Sequence, residues 1–314
     1  MEDTDSSTRS GTDCSTDYSS DYSPTCRMGI TSSLALGCAG PSTAKRGYRK
    51  TRTRSRALVR GMTAALGILC ALNAWAAPEV PASPWGPQDT LGAANRLSPA
   101  RVLEAARLIQ TGKTYALGVI TGRKTPAYSP RQFALTVLQP GTGTGATMGA
   151  NRATGNDDLM YTWNGIGSQI DGLGHMGADH VYYNRLTPEE FVTPQGLTRL
   201  GTQAIPPIVT RGVLLDMTAH FASDPVAPGT AFNRAEIDAA ASAQGVQIRE
   251  GDVVLFHTGW QALAEADAGA FMAGEPGLGL EGARYLAQTG VVAVGADTWA
   301  VEAFPFEDPT LAFP

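Results

Sequence analysis

The alternation of apolar runs and helical stretches between residues 208 and 294 constrains this chain more than any other feature. Ile208 to Leu215 is a short run rich in β-branched and apolar residues, Arg234 to Gln244 is an Ala-rich stretch ended by Gly245, and Val253 to His257 is again apolar. Gly282 to Gln288 reads as a second helix, closed by Gly290, that feeds the apolar run Val291 to Val294. A helix between two strands gives the chain the length it needs to return and lay the second strand parallel to the first. The spacing therefore predicts an α/β domain with some parallel pairing.

Upstream, Ser98 stands as an N-cap with Pro99 in the first turn, and Val102, Leu103, Ala106 and Ile109 recur at helical spacing until Gly112. Tyr115 to Ile120 and Phe133 to Leu138 predict two further strands. The Gly-rich run from Gly141 to Gly149 lacks the Lys-Ser/Thr of a phosphate loop, and no helix starts at its end to present amides to a pyrophosphate. It reads as a mobile connection, which Asn151 to Asp158 extends to about twenty residues, a length more often functional than accidental. No internal repeat of fixed period is present.

Residues 1–57 are dominated by Ser, Thr, Asp and Arg, a composition that buries too little apolar surface to offset chain entropy. That segment reads as disordered or as an overcalled gene start, with Met28 an alternative first residue. A basic stretch (Lys45 to Arg60), an apolar run (Met62 to Leu72) and Ala74-Trp75-Ala76 then make a secretory signal peptide over 58–76, cleaved after Ala76. The apolar run is short of the roughly 20 residues needed to span a bilayer, so no stable membrane anchor is expected. The mature part, 77–314, is expected to be exported to the periplasm or the extracellular space.

That part carries 14 basic against 23 acidic side chains, a balance that repels phosphate backbones and argues against nucleic acid as a partner. All four cysteines (Cys14, Cys26, Cys38, Cys70) precede it, so it has neither a disulfide framework nor a cysteine zinc site. Any metal must be held by oxygen and imidazole, and the histidines are His175, His180, His220 and His257.

The chemistry concentrates in Gly165-Ile-Gly-Ser-Gln-Ile-Asp-Gly-Leu-Gly-His175. Were Ser168 to Asp171 extended, Gln169 and Asp171 would share a face, with alpha carbons about 6.5 Å apart. Gly172 and Gly174 let the backbone turn so that His175 comes back toward it. A carboxylate, an amide oxygen and an imidazole make a partial shell for a divalent metal, while the plainer reading of the same residues is a solvated surface pair. His180 suits a polar loop. His257, between Phe256 and Thr258, suits a hydrogen-bonded core imidazole. His220 follows a strand end, and Asp297 sits at the carboxyl end of an apolar strand, where ligands of α/β sheets gather.

These residues resemble the cyclase family that includes bacterial kynurenine formamidases and isatin hydrolase. The family signature His-x-Gly-Thr-His-x-Asp-x-x-x-His is matched by Gly165-x-Gly167-Ser168-Gln169-x-Asp171-x-x-x-His175. Trp85 to Asn95 resembles the family's opening segment, Ile208 to Asp216 its central strand, Gly251 to Trp260 its next strand, and Gly295 to Glu302 the turn after its last helix. The resemblance implies a swivelling β/β/α-type single domain, a small-molecule substrate, a homo-oligomer, and a metal-dependent hydrolase of aryl formamides or cyclic amides, as in tryptophan breakdown to kynurenine. It makes Asp171 a metal ligand, Gln169 a ligand in place of histidine, His175 the acid/base and Trp85 an aromatic against an aryl substrate or part of the core.

Gly165 and Gln169 stand where the family has histidines, leaving an oxygen-rich site expected to favour Mn²⁺ or Mg²⁺ over Zn²⁺. Relatives continue past the Phe-Pro of Phe313-Pro314 into a segment with a further ligand histidine and glutamate, so the domain is expected to lack its C-terminal end unless Glu302, Glu307 or Asp308 substitutes. The alternative from another class is a non-catalytic exported binding protein that keeps the fold with a degenerate metal site.

Overall fold

The computed structural model of the chain describes residues 80–138 and 147–313, all within the compact unit Ala71–Pro314. The expected disordered segment, the signal peptide and most of the Gly-rich run lie outside the described residues. In chain order, the first part carries helix α1 (Pro99–Ala106), the paired strands β1 (Phe133–Leu138) and β2 (Asp157–Thr162), helix α2 (Pro188–Phe191) and the short pair β3 (Val192–Thr193) and β4 (Gly196–Leu197). The second part opens with β5 (Gly212–Asp216), α3 (Met217–Phe221), β6 (Ala231–Phe232), α4 (Arg234–Ala243) and β7 (Val253–His257). It continues with α5 (Leu263–Ala266), α6 (Ala268–Ala273), β8 (Gly277–Leu278), α7 (Leu280–Thr289) and β9 (Ala293–Ala296).

The mixed helix and strand pattern resolves as expected around β7, which lies between β5 and β9 in a parallel sheet. Period-2 alternation turns Val213 and Leu215 of β5, and Val254 and Phe256 of β7, to one face. There they pack against Ile237, Ala240 and Ala241 of α4 and Leu286 of α7. Full burial of side chains this size contributes about 1.5–3 kcal/mol each, so this cluster is the main source of stability. The opposite face is more open, with Leu214 55% exposed. The flanking helices are bounded by their own sequence. Asn233 and Glu236 form a capping box on α4, and Gly245 and Gly290, at φ +67° and +85°, end α4 and α7 in backbone conformations that L side chains avoid.

Several boundaries differ from the sequence reading. The strand expected over Tyr115 to Ile120 does not form. Among the described residues the run has no partner strand, Val119 N–H donates to the Ser168 hydroxyl instead (2.9 Å), and Tyr115, Leu117 and Ile120 are exposed. Helix α1 keeps its Ser98 cap but stops at Ala106, with Leu103 and Ile109 facing solvent. Strand β5 begins only at Gly212, and Thr210 just before it donates its hydroxyl to Gly251 O (2.6 Å) instead of entering the ladder. Strand β9 starts two residues later than expected, after Val292 N–H has bonded Asp252 O. Strand β2, whose first two residues end the connection expected over Asn151 to Asp158, pairs antiparallel with β1 from Phe133↔Thr162 to Leu138↔Asp157.

A second, smaller core joins Leu186, Phe191 and Leu200 to Leu173, Tyr182, Tyr183 and Leu197. Between β5 and β7 the buried carboxylate of Asp252 accepts from Arg211 Nε (2.9 Å) and Nη2 (2.6 Å) and from Arg249 N–H (2.7 Å). Among the described residues no helix is long and apolar enough to cross a membrane.

Candidate functional site

The carboxyl ends of the three parallel strands carry Asp216, His257 and Asp297. Because Val254 and Phe256 face the core, His257 at the end of β7 faces the other way. Its side chain is 46% exposed, which corrects the expectation of a core imidazole. Its Nδ1 lies 3.2 Å from Asp297 Oδ2. Asp297 also accepts from Thr258 N–H (2.8 Å), Thr258 Oγ1 (2.6 Å) and Gly259 N–H (2.9 Å), so one carboxylate both fixes the turn after β7 and orients the imidazole. Asp216, level with His257, caps α3. Its carboxyl is lowered by bonds from the Thr218 hydroxyl and Ala219 N–H, with His257 adding attraction.

The neighbouring turn is held from below. Glu275 is fully buried and accepts from Trp299 N–H (2.8 Å) and Ala300 N–H (3.1 Å). Burial pushes its carboxyl up to about 8, with Glu302 adding repulsion and the two N–H groups opposing. The Trp299 ring meets Tyr128 edge-on at 4.9 Å, and the Tyr128 hydroxyl donates to Met272 O (3.0 Å). These contacts fasten the loop around Tyr128 to the turn that follows β9.

That loop continues into a cavity of about 360 Å³ whose lining includes Arg123, Thr125, Arg131, Phe133 and Ile166. Ile166 belongs to the Gly165–His175 segment, so the cavity borders the stretch that the sequence singles out. Arg131 Nη1 donates to Gly165 O (3.0 Å). A side chain at 165 would begin 2.5 Å from that Nη1 and 3.1 Å from Gln169 Oε1, so the glycine leaves room for both groups beside the backbone.

Gln169, Asp171 and His175 are exposed. The segment is irregular where an extended stretch was considered, but the turn at Gly172 forms, with His175 N–H donating to Gly172 O (3.0 Å). Leu173, between Asp171 and His175, anchors it in the second core. Asp171 and His175 make no side-chain hydrogen bond or ion pair with a described residue. Their donors and the Gln169 oxygen are therefore uncommitted, and in chemistry this oxygen-rich set fits a hard divalent cation. Among the described residues no three His, Cys, Asp or Glu side chains gather at one point.

The opening segment reaches the same stretch by its other flank. Gly92, at φ +57°, packs so closely on Leu173 that a side chain there would begin 3.0 Å from Leu173 Cδ1. Asp89 organises it. Burial raises this carboxyl, but bonds from Tyr183 (2.6 Å), Ser83 (2.7 Å), Leu91 N–H (3.0 Å) and Asn95 (2.7 Å) outweigh that and hold it well below the usual range. Trp85 is half-exposed with the Arg96 guanidinium over its ring at 5.2 Å.

Other candidates are engaged elsewhere. His180 is an exposed turn residue at φ +60°, and His220 meets the Phe221 ring. Glu307 accepts from Asn233 (2.7 Å) and Asp308 from Thr310. Glu302 accepts from Val301 N–H (3.2 Å). Arg123 and Arg131 were missed because single surface arginines are ordinary. The signal was in the charge pattern, since residues 105–156 hold six Lys and Arg and no Asp or Glu.

A family model described as a cyclase matches residues 115–303. The crystal structure of a novel cyclase is 27% identical and aligns with a TM-score of 0.64 over 69% of this chain and 75% of that one. An isatin hydrolase bound to the product analogue thioisatinate is 19% identical, with a TM-score of 0.42 over 59% of this chain and 67% of its own. Isatin hydrolase A from Ralstonia solanacearum is 18% identical, with a TM-score of 0.42 over 60% and 67%. No curated protein matches.

Proposed function

The chain belongs to the cyclase family, and from that premise we propose that it is a hydrolase of amide bonds in aryl formamides or cyclic amides. The observation that carries this reading is an uncommitted carboxylate, amide oxygen and imidazole, Asp171, Gln169 and His175, on one exposed segment whose Ile166 borders a cavity of about 360 Å³. That volume lies within the range of small-molecule sites.

In this reading Gln169 and Asp171 hold a divalent ion, Mn²⁺ in preference to Zn²⁺. When bound, the ion polarises the carbonyl and makes water a better nucleophile near neutral pH. His175 takes the proton as water oxygen bonds the carbonyl carbon, and delivers it to the nitrogen as the C–N bond breaks. One specific observation favours a second assignment of the imidazole: His257 already has a carboxylate partner to orient it, as a general base requires, and His175 has none.

Hydrolysis of an aryl formamide by purified protein, with and without Mn²⁺, tests the reading. His175→Ala should retain bound Mn²⁺ and lose about 10²- to 10⁴-fold in rate. The same loss in His257→Ala with an unaffected His175→Ala would transfer the proton-handling role to His257. Asp171→Asn should abolish Mn²⁺ binding with the fold intact, and unchanged stoichiometry would place the metal elsewhere. Export belongs to the same reading, and an amino terminus at Ala77 in protein from the cell envelope would support it.

A further inference from the structure

We propose that the cavity beside Gly165 is a carboxylate-binding site, in which Arg123 and Arg131 grip an anionic group on an aryl ligand and Phe133 flanks its ring. The proposal names the substrate class for the hydrolase reading and rests on it for the remainder of the molecule.

Three features point to an anion. First, both guanidinium groups line one cavity, and each is fixed by a main-chain carbonyl: Arg131 donates to Gly165 O (3.0 Å) and Arg123 to Leu135 O. A guanidinium has five N–H donors, so one carbonyl bond leaves most of the fork free. Second, neither arginine forms an ion pair with a described residue, although the 77–314 part holds 23 carboxylates against 14 cations. Two unneutralised cations in an acidic domain set up a local positive field at the cavity. Third, the remaining lining is suited to an organic anion. The Thr125 hydroxyl and the Gln132 amide add polar contacts, and the partly buried Phe133 adds an apolar edge, with Ile166 buried behind the lining.

A planar carboxylate matches a guanidinium fork with two parallel N–H···O bonds, which a lysine cannot reproduce. Gly165 is part of the device, because any side chain there would meet Arg131 Nη1 at 2.5 Å and force the guanidinium away. With no side chain at 165, the Arg131 guanidinium from the neighbouring loop takes up the space one would occupy.

The test is equilibrium binding to the full chain, followed by the intrinsic fluorescence of 2-aminobenzoate, with aniline as the uncharged analogue and inorganic phosphate as a competitor. We expect saturable binding of 2-aminobenzoate that weakens with salt, with aniline about tenfold weaker or worse and phosphate a poor competitor. Arg131→Gln and Arg123→Gln should each cost about tenfold in affinity, Arg131→Lys should not restore it, and Gly165→Ala should weaken it with both arginines present. Arg107→Gln, a cation of the same segment outside the cavity, is the control and should change nothing.

Aniline binding as well as 2-aminobenzoate, or unaltered affinity in both glutamine variants, would overturn the proposal. Displacement by phosphate at the concentration at which benzoate displaces would also overturn it, in favour of a general small-anion site. Because the readout is binding, carboxylate capture without hydrolysis would leave this site standing and remove the hydrolase reading. Hydrolysis of formanilide and of its ortho-carboxyl derivative at equal rates, with both glutamine variants silent, would do the reverse.

Discussion

His257 and Asp297 stand 40 residues apart in the sequence and meet across the ends of β7 and β9, Nδ1 to Oδ2 at 3.2 Å. The same carboxylate satisfies the N–H groups of Thr258 and Gly259, so the residue that orients the imidazole also closes the strand end beneath it. Asp297→Ala leaves two backbone donors without a partner and should cost about 2–4 kcal/mol. Urea unfolding measures it, and a loss under 1 kcal/mol would mean water replaces the carboxylate freely.

Glu275 makes stability depend on pH in the direction opposite to most carboxylates. Its folded value, near 8, lies above the ordinary 4.5, so the folded state binds the proton more tightly than the unfolded one. The resulting stabilisation is complete below about pH 4.5 and is lost as pH rises through about 8. Glu275→Gln keeps an acceptor for Trp299 and Ala300 and should flatten this decline between pH 5 and 9. Parallel unfolding free energies for the two proteins across that range would refute the assignment.

The Arg211 and Asp252 pair is a structural charge pair, separate from the candidate site. Asp252 is 2% exposed, and Asp252→Ala strands a guanidinium that is itself mostly enclosed. The expected loss is about 3 kcal/mol, the lower end for broken buried pairs because Arg211 keeps some water. Replacing both partners with apolar residues should recover much of it, and a double-mutant cycle in urea would show whether it does.

Gly167 sits at φ +73°, and a side chain there would collide with the Thr121 hydroxyl. Gly167→Ala should therefore cost about 1–3 kcal/mol. It should also disturb the neighbouring bond from Val119 N–H to Ser168. A melting temperature equal to that of the unaltered protein would show that the loop has room to adjust.

The parallel sheet was legible because its determinants are local: β-branched runs, a capping box at Asn233, and glycines at 245 and 290 whose backbone only glycine adopts easily. Strand ends shifted where long-range bonds intervened, as at Thr210 and at Val292. Tyr115 to Ile120 has strand chemistry and no neighbour to pair with, which a run of residues cannot reveal about itself. His257 could have been placed correctly, since alternation with Val254 and Phe256 already puts it on the face away from the core. Glu275 could not, because nothing near it in the sequence shows that Trp299 and Ala300 enclose it. Of the candidate site, the Gly165–His175 segment was legible as a motif, while Arg131 beside it depended on a carbonyl partner 34 residues away and Arg123 on one 12 residues away.

The central position of β7 divides the molecule by the ease with which its parts open. Amide protons of β7 are sealed between two parallel neighbours over the main core, so they should exchange with solvent only when the whole domain unfolds. Strands β1 and β2 pair only with each other among the described residues and are largely exposed, and a lone two-stranded pair is marginal in water. The Gly165–His175 segment follows β2 closely and is held by Ile166, Leu173 and a few loop contacts. Its amides should exchange through local openings that leave β7 protected, so part of the free energy of ordering this segment falls to the ligand and not to the fold.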